Sequence, residues 1–75
     1  MKITAKTGSW AARYVSERVI ALDMPEGSSA MDVIKAIGIP PDEVGIVVID
    51  GKSVPKEHRL SDEDVIKIHP VIIGG

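Results

Sequence analysis

The chain has 75 residues, a net charge of −2 at neutral pH and no cysteine. This length predicts a single domain, since a chain so short buries only about 60% of the surface that its unfolded state exposes. The lack of cysteine excludes disulfides, thiolate metal sites and a cysteine nucleophile, and two histidines are too few for a self-contained zinc site. Interspersed acids and bases give neither a basic patch for nucleic acid nor a polybasic membrane anchor.

The apolar residues are spread along the chain and are rich in isoleucine and valine, with no phenylalanine. No stretch approaches the roughly 20 apolar residues of a membrane-spanning helix. The first residues, Met1–Lys6, lack the apolar core of a signal peptide. We therefore expect a soluble, cytoplasmic protein. Because β-branched side chains favour strands over helices, we also expect strands to dominate.

The first half of the chain predicts two strands. Residues 1–7 alternate, and one side of the strand carries Met1, Ile3 and Ala5. The run Arg18–Met24 predicts a second strand that ends before a proline and a glycine. Two strands that follow each other through a loop pair antiparallel, so these should form a hairpin.

The segment between these strands, Ser9–Ser16, shows no clear period and is interpreted as a long hairpin loop. It holds both aromatic residues of the chain, Trp10 and Tyr14. They could form a binding platform or cover one end of the core. The second interpretation is favoured, because a short protein needs every large apolar side chain that it has.

The clearest helix begins after Ser29. A serine followed three residues later by Asp32 resembles a capping box, with the carboxylate at the positive end of the helix. Residues at helical spacing then form one apolar stripe: Ala30, Val33, Ile34 and Ile37. Gly38 suits the left-handed position after the last turn, and Pro40-Pro41 cannot continue the helix.

The second half predicts three more strands. Gly45–Asp50 is apolar on both sides, as expected of an inner strand. Asp50-Gly51 is a turn signal, and Lys52–Val54 is a short return strand. Leu60 should anchor the polar loop that follows. The last strand, Val65–His69, should send Ile66 and Ile68 inward and Val65, Lys67 and His69 outward.

This order of elements predicts an α+β roll, a mixed sheet of four to five strands with one helix packed across one face. We place the domain at residues 1–70, followed by a flexible tail at residues 71–75. The tail ends in Gly74-Gly75, which cover no core surface and cost backbone entropy to order. They predict a thin thread with an unhindered carboxylate; a frayed end is the alternative.

Several segments carry a family resemblance: Met24–Gly27 before the helix, Gly38–Val44 after it, Val48–Lys52 at the turn, Leu60–Val65 before the last strand, and Gly74-Gly75. With them the chain resembles the ubiquitin-like β-grasp proteins, and more closely the MoaD/ThiS family of prokaryotic sulfur carriers. One departure is Glu63, where family members often have glycine. The Trp10 loop matches no motif of the family.

The resemblance implies a non-enzymatic role as the protein co-substrate of an ATP-dependent activating enzyme. A partner of the ubiquitin-activating type would adenylate the Gly75 carboxylate, with ATP and magnesium bound on that partner and no cofactor or metal bound by this chain. A sulfur donor would convert the adenylate into a thiocarboxylate. A sulfur-accepting synthase of molybdopterin or thiamine biosynthesis, or a tRNA-thiolating enzyme, would then take the sulfur. We expect a monomer that works in heteromeric complexes, with no direct contact to nucleic acid or membrane.

The candidate site has two parts. Gly75 is the reacting position and Gly74 must be small enough to enter a narrow channel. Partner-binding residues are predicted on the outward sheet face and in the apolar run beyond it: Ile46, Val48, Lys67, His69, Val71, Ile72 and Ile73. A strand shifted by one residue would exchange the two faces, and a last strand that simply continues would bury part of the run.

Two other functions remain open from the sequence. The acyl group of Gly75 could pass to a lysine of another protein, as in a ubiquitin-like modifier. Alternatively, the chain could be a passive β-grasp interaction module with an incidental diglycine. Within sulfur transfer, Pro70-Val71 favours molybdopterin-type carriers, whereas Val54–Lys56 resembles thiazole-type carriers.

Overall fold

The computed structural model describes residues 1–72, which form a mixed five-stranded sheet with one helix on one face. The elements are β1 (Lys2–Lys6), β2 (Val19–Asp23), α1 (Ala30–Ala36), β3 (Val44–Ile49), β4 (Lys52–Val54) and β5 (Val65–Pro70), with short 3-10 turns at Ser9–Ala11 and Pro41–Glu43. The predicted order of strands and helix is confirmed. Within these residues, no helix is long and apolar enough to cross a membrane.

The strands lie in the order β2-β1-β5-β3-β4. The central pair, β1 and β5, is parallel, and the other three pairs are antiparallel. The predicted antiparallel pairing of the first two strands and the predicted mixed sheet are therefore confirmed. Because β1 and β5 run in the same direction, their carboxyl ends lie at the same edge of the sheet, which is where the chain leaves β5.

The core lies between α1 and the inner face of the sheet. The strands contribute side chains that are at most 8% exposed: Ile3, Ala5, Val44, Val47, Ile49, Ile66 and Ile68. The predicted helical stripe contributes Ala30, Val33 and Ile34, with Ile37 packed at its margin. Leu60 is also buried, so the predicted anchor of its loop is confirmed.

The start of α1 has the predicted capping box. The Ser29 Oγ accepts a hydrogen bond from the Asp32 N–H at 3.3 Å, and the Asp32 carboxylate accepts one from the Ser29 N–H at 2.9 Å. That backbone hydrogen bond holds the pKa of Asp32 below its ordinary value of 3.8. Gly38 follows the helix with φ +86°, the left-handed conformation predicted for it.

Two structural details differ from the sequence interpretation. The segment interpreted as a hairpin loop contains a 3-10 turn with a fully buried Ala11, and Trp10 and Tyr14 pack against the core. The favoured interpretation of the two aromatics as a core cover is confirmed. Glu63 adopts φ +72°, a conformation that favours glycine, and its N–H donates to the Lys2 carbonyl at 2.8 Å. The chain thus keeps the glycine-type turn without the glycine.

Candidate functional site

The two residues that follow β5, Val71 and Ile72, lie at the edge of the sheet where that strand ends. We call them the tail root. The Val71 N–H donates to the Glu43 carbonyl at 3.0 Å, which is the last hydrogen bond of the backbone in the described residues. Val71 is 43% exposed and Ile72 is 80% exposed. Neither belongs to β5, so the strand does not continue to bury them. The predicted site residues Ile73, Gly74 and Gly75 lie outside the described residues.

A β-bulge in β3 lets the backbone of that strand approach the tail root closely. The pairing of β3 with β5 shifts register between Val44 and Ile46, so Gly45 forms a bulge beside Pro70. A Cβ added at Gly45 would lie 2.9 Å from the Pro70 carbonyl oxygen and 2.9 Å from the Val71 Cα. Only glycine allows the two backbones to approach so closely. Sequence reasoning missed this role, although a glycine inside a strand pattern is a signal for it.

A groove of about 310 Å³ lies beside the tail root. Its walls come from the first loop, the turn before β3 and the end of β5: Trp10, Arg13, Asp42, Glu43, Pro70 and Val71. The Tyr14 hydroxyl donates to the Glu43 carboxylate, which ties the first loop to the residue that holds Val71. The loop that matched no family motif therefore borders the tail. Its sequence signal was the pair of aromatics in a segment without a period.

The outer face of the sheet brings together four predicted partner-binding residues. Ile46 pairs with His69, and Val48 pairs with Lys67, across β3 and β5. The predicted direction of the last strand is confirmed, because its other two side chains, Ile66 and Ile68, are at most 2% exposed. We call these two cross-strand pairs the outer patch. Ile46 is 44% exposed, so the patch presents apolar surface next to a lysine and a histidine.

The outer patch and the tail root adjoin at Trp10. A second cavity, of about 300 Å³, is lined by Trp10, by Lys6–Gly8 at the end of β1 and by residues 67–69 of β5. Trp10 therefore borders both the tail-root groove and the edge of the outer patch. In the part of the chain that the structure describes, no three His, Asp or Glu side chains are grouped to hold a metal ion. The arrangement places an apolar and basic surface patch beside an exposed chain segment.

Comparisons with known proteins agree with this geometry. A protein-family model described as Mut7-C ubiquitin matches residues 8–73. The crystal structure of SAMP1 from Haloferax volcanii is similar over 100% of both chains, with a TM-score of 0.76 and 16% identity. A putative molybdopterin converting factor, subunit 1, from Pyrococcus furiosus matches 96% of this chain and 99% of its own, with a TM-score of 0.75 and 21% identity.

The predicted ubiquitin-like β-grasp fold is confirmed by these structures, and the predicted resemblance to ubiquitin-like proteins is confirmed by the family model. At such low identity, the solved structures show the shared fold. Among curated proteins, no sequence match reaches significance.

Proposed function

The chain belongs to the Mut7-C ubiquitin family, and from this premise we propose that it is a sulfur carrier activated at the Gly75 carboxylate by a partner enzyme. The observation that carries the proposal is the exposed tail root. Val71 and Ile72 leave the sheet with large exposed fractions, beside the groove that Trp10 and Glu43 line. Apolar residues in such a position gain most from burial against a partner.

In the proposed reaction, a carboxylate oxygen of Gly75 attacks the α-phosphorus of ATP, and pyrophosphate leaves. Hydrosulfide then attacks the acyl carbon of the adenylate, and AMP leaves, which gives the Gly75 thiocarboxylate. ATP and magnesium are bound by an adenylating enzyme of the ubiquitin-activating type, whose groups stabilise the developing charge. This chain supplies only the carboxylate and is a co-substrate. A synthase for molybdopterin or thiamine, or a tRNA-thiolating enzyme, accepts the sulfur.

The two parts of the candidate site have separate roles in this proposal. The outer patch docks on the adenylating enzyme, and Trp10 links that patch to the tail root. The run Val71–Ile73 adds main-chain hydrogen bonds to an edge strand of the enzyme. Gly74 and Gly75 pass through its narrow channel, because a side chain there would add bulk and would restrict the extended backbone.

The test is the intact mass of the protein after incubation with a ubiquitin-activating-type enzyme, ATP, magnesium and sulfide. The wild type should gain the mass of one oxygen-to-sulfur exchange. Gly75→Ala should keep the wild-type thermal midpoint but lose most of this conversion. Ser16→Ala is the control, a similarly small change at an exposed position of the first loop. Full conversion of Gly75→Ala would contradict the proposal.

The other two functions that the sequence leaves open predict different results in cells that express this protein. A modifier would appear as high-mass adducts in an immunoblot against this chain, with Gly75 joined to lysine amines. A passive interaction module would keep its full function after deletion of Gly74-Gly75. A sulfur carrier should lose function after the deletion and should yield the thiocarboxylate in place of adducts.

A further inference from the structure

Two lysines face each other at the end of the parallel pair of strands. Lys6 of β1 lies directly opposite Lys67 of β5, and neighbouring strands are about 4.8 Å apart. Like charges in such a pair are unfavourable. In residues 1–72, neither ammonium has a carboxylate within the 4.0 Å limit of an ion pair. Asp50 and Lys67 both line a separate cavity, and they form no ion pair there.

The cavity of about 300 Å³ between this pair and the first loop has a second unusual feature. Thr7 lines it, and the Thr7 Oγ1 is buried without a hydrogen-bond partner in the described part of the chain. A buried hydroxyl without a partner is unfavourable, as is the lysine pair. Trp10 forms one wall and His69 adds an imidazole. An oxyanion in this cavity would neutralise the two lysines.

We propose that this cavity, the Lys6–Lys67 site, binds a carboxylate side chain of the adenylating enzyme, an inference that rests on the proposed function. The apolar surface around the cavity favours a carboxylate carried by a protein over a free phosphate ion. Exposed apolar side chains lie beside it on the outer face, with Ile46 44% and Val65 41% exposed. A docked protein would cover them, whereas a free ion would leave them in water.

The positive charges of the site come from side chains on two neighbouring strands. An acidic residue seated at Lys6 and Lys67 would fix the orientation of the docked domain, since charge pairs mainly set specificity and association rate. Because Trp10 also borders the tail-root groove, that orientation would determine where the tail enters the enzyme.

The first test uses the fluorescence of Trp10, the only tryptophan of the chain, during titration with an end-capped tetraglutamate peptide. The change should be saturable and should weaken as sodium chloride is added. Lys6→Gln with Lys67→Gln should lower the affinity by about tenfold or more. Lys35→Gln with Lys52→Gln, which removes the same charge elsewhere, should stay within about twofold. A wild type without a saturable change would overturn the inference.

Inorganic phosphate, titrated over the same concentrations, should give no saturable change. If phosphate binds as tightly as the peptide and depends on Lys6 and Lys67, the cavity is a free phosphate site and the assignment is wrong. The double variant should have a thermal midpoint at or above that of the wild type, because the like-charge contact is gone. A loss of peptide binding then reflects lost charge and not unfolding.

The second test is the sulfide assay with the adenylating enzyme. Removal of Lys6 and Lys67 should raise the KM for the carrier at least about tenfold and leave kcat unchanged, as expected for lost docking. An unchanged KM would overturn the inference even if the wild type forms the thiocarboxylate. If the wild type forms no thiocarboxylate, the proposed function fails, while the peptide titration still reports on the site.

Discussion

The two faces of one sheet have opposite properties in this protein. Along β5, Ile66 and Ile68 point to the helix and are at most 2% exposed, while Lys67 and His69 between and beyond them point to solvent. The inner face is apolar and covered by α1, and the outer face is mixed in charge and partly apolar. The difference teaches that a domain of this size draws its stability from one face and can use the other for recognition.

The largest expected effect is a difference in unfolding free energy between isoleucine-to-alanine substitutions on the two faces of the sheet. Ile66→Ala removes a fully buried side chain and should cost about 2–5 kcal/mol of unfolding free energy. Ile46→Ala, on the neighbouring strand and the opposite face, should cost about 0.5 kcal/mol or less. Urea denaturation of both variants measures the difference.

For binding to the adenylating enzyme, Ile46→Ala should have the larger effect of the two variants. Ile46→Ala should weaken binding to the adenylating enzyme, measured by calorimetry, by about 1 kcal/mol, because the few interface side chains whose truncation costs that much lie near the centre of the interface. Equal stability losses in the two variants would show that the outer face belongs to the core. Unchanged docking by Ile46→Ala would remove that residue from the outer patch.

The second prediction concerns the edge where the faces meet the tail. Gly45→Val places side-chain atoms against the backbone of Pro70 and Val71 and should cost about 1–3 kcal/mol through overpacking. It should also break the hydrogen bond from the Val71 N–H to the Glu43 carbonyl, so that this amide loses protection in hydrogen exchange. Gly51→Ala is the comparison: nothing lies within 4 Å of its added Cβ, and its φ of +76° alone should be costly.

If the Val71 amide keeps its protection in Gly45→Val, the bulge does not hold the tail root. If Gly51→Ala removes that protection as well, the loss reflects general destabilisation and the assignment to Gly45 is wrong. The expected pattern is a stability loss in both variants and a loss of Val71 protection in Gly45→Val alone.

Much of this fold follows from patterns with a period of two or of about 3.6 residues. Alternation in Val65–His69 predicted which face each residue of the last strand occupies, and the stripe from Ala30 to Ile37 predicted the buried side of α1. Local chemistry was equally informative, since Ser29 and Asp32 predicted the cap. These signals are readable because each depends on residues close in sequence.

The features missed by the sequence analysis depend on contacts between distant segments. Gly45 is required by a backbone 25 residues later in the chain, at Pro70. A glycine in a strand pattern signals a bulge or a close approach, but the local sequence does not identify Pro70 as the segment that approaches. The same holds for Trp10, whose place beside the tail root depends on the end of β5. Lys6 and Lys67 lie opposite each other because of the parallel register of β1 and β5, which no local pattern in the sequence specifies.

The third prediction tests the helix that covers the inner face. Ser29→Ala removes the hydroxyl that accepts from the Asp32 N–H and should cost about 1 kcal/mol, or a fall of about 4–8 °C in the thermal midpoint of a domain this small. Ser53→Ala, at an exposed position of β4 on the outer side, should stay near the wild-type midpoint. A Ser29→Ala midpoint equal to that of the wild type would show that the cap adds nothing to the cover of the core.

The smallest expected effect is the pH dependence that Asp32 contributes. The Ser29 N–H donates to its carboxylate and holds its pKa below the ordinary value of 3.8. The unfolded chain therefore binds a proton at this group more readily than the folded chain does. The stabilisation is fully present above the unfolded-state pKa and is lost as pH falls through the lower, folded-state pKa.

Asp32→Asn should accordingly show a shallower loss of stability than the wild type as the pH falls below about 4. Thermal unfolding at a series of pH values measures the slope. Lys67→Gln is the control on the outer face, because lysine keeps its charge throughout this range; its slope should follow that of the wild type. An Asp32→Asn slope equal to that of the wild type would mean that the carboxylate gains nothing from the cap. The loss of stability at low pH would then come from other carboxylates of the chain.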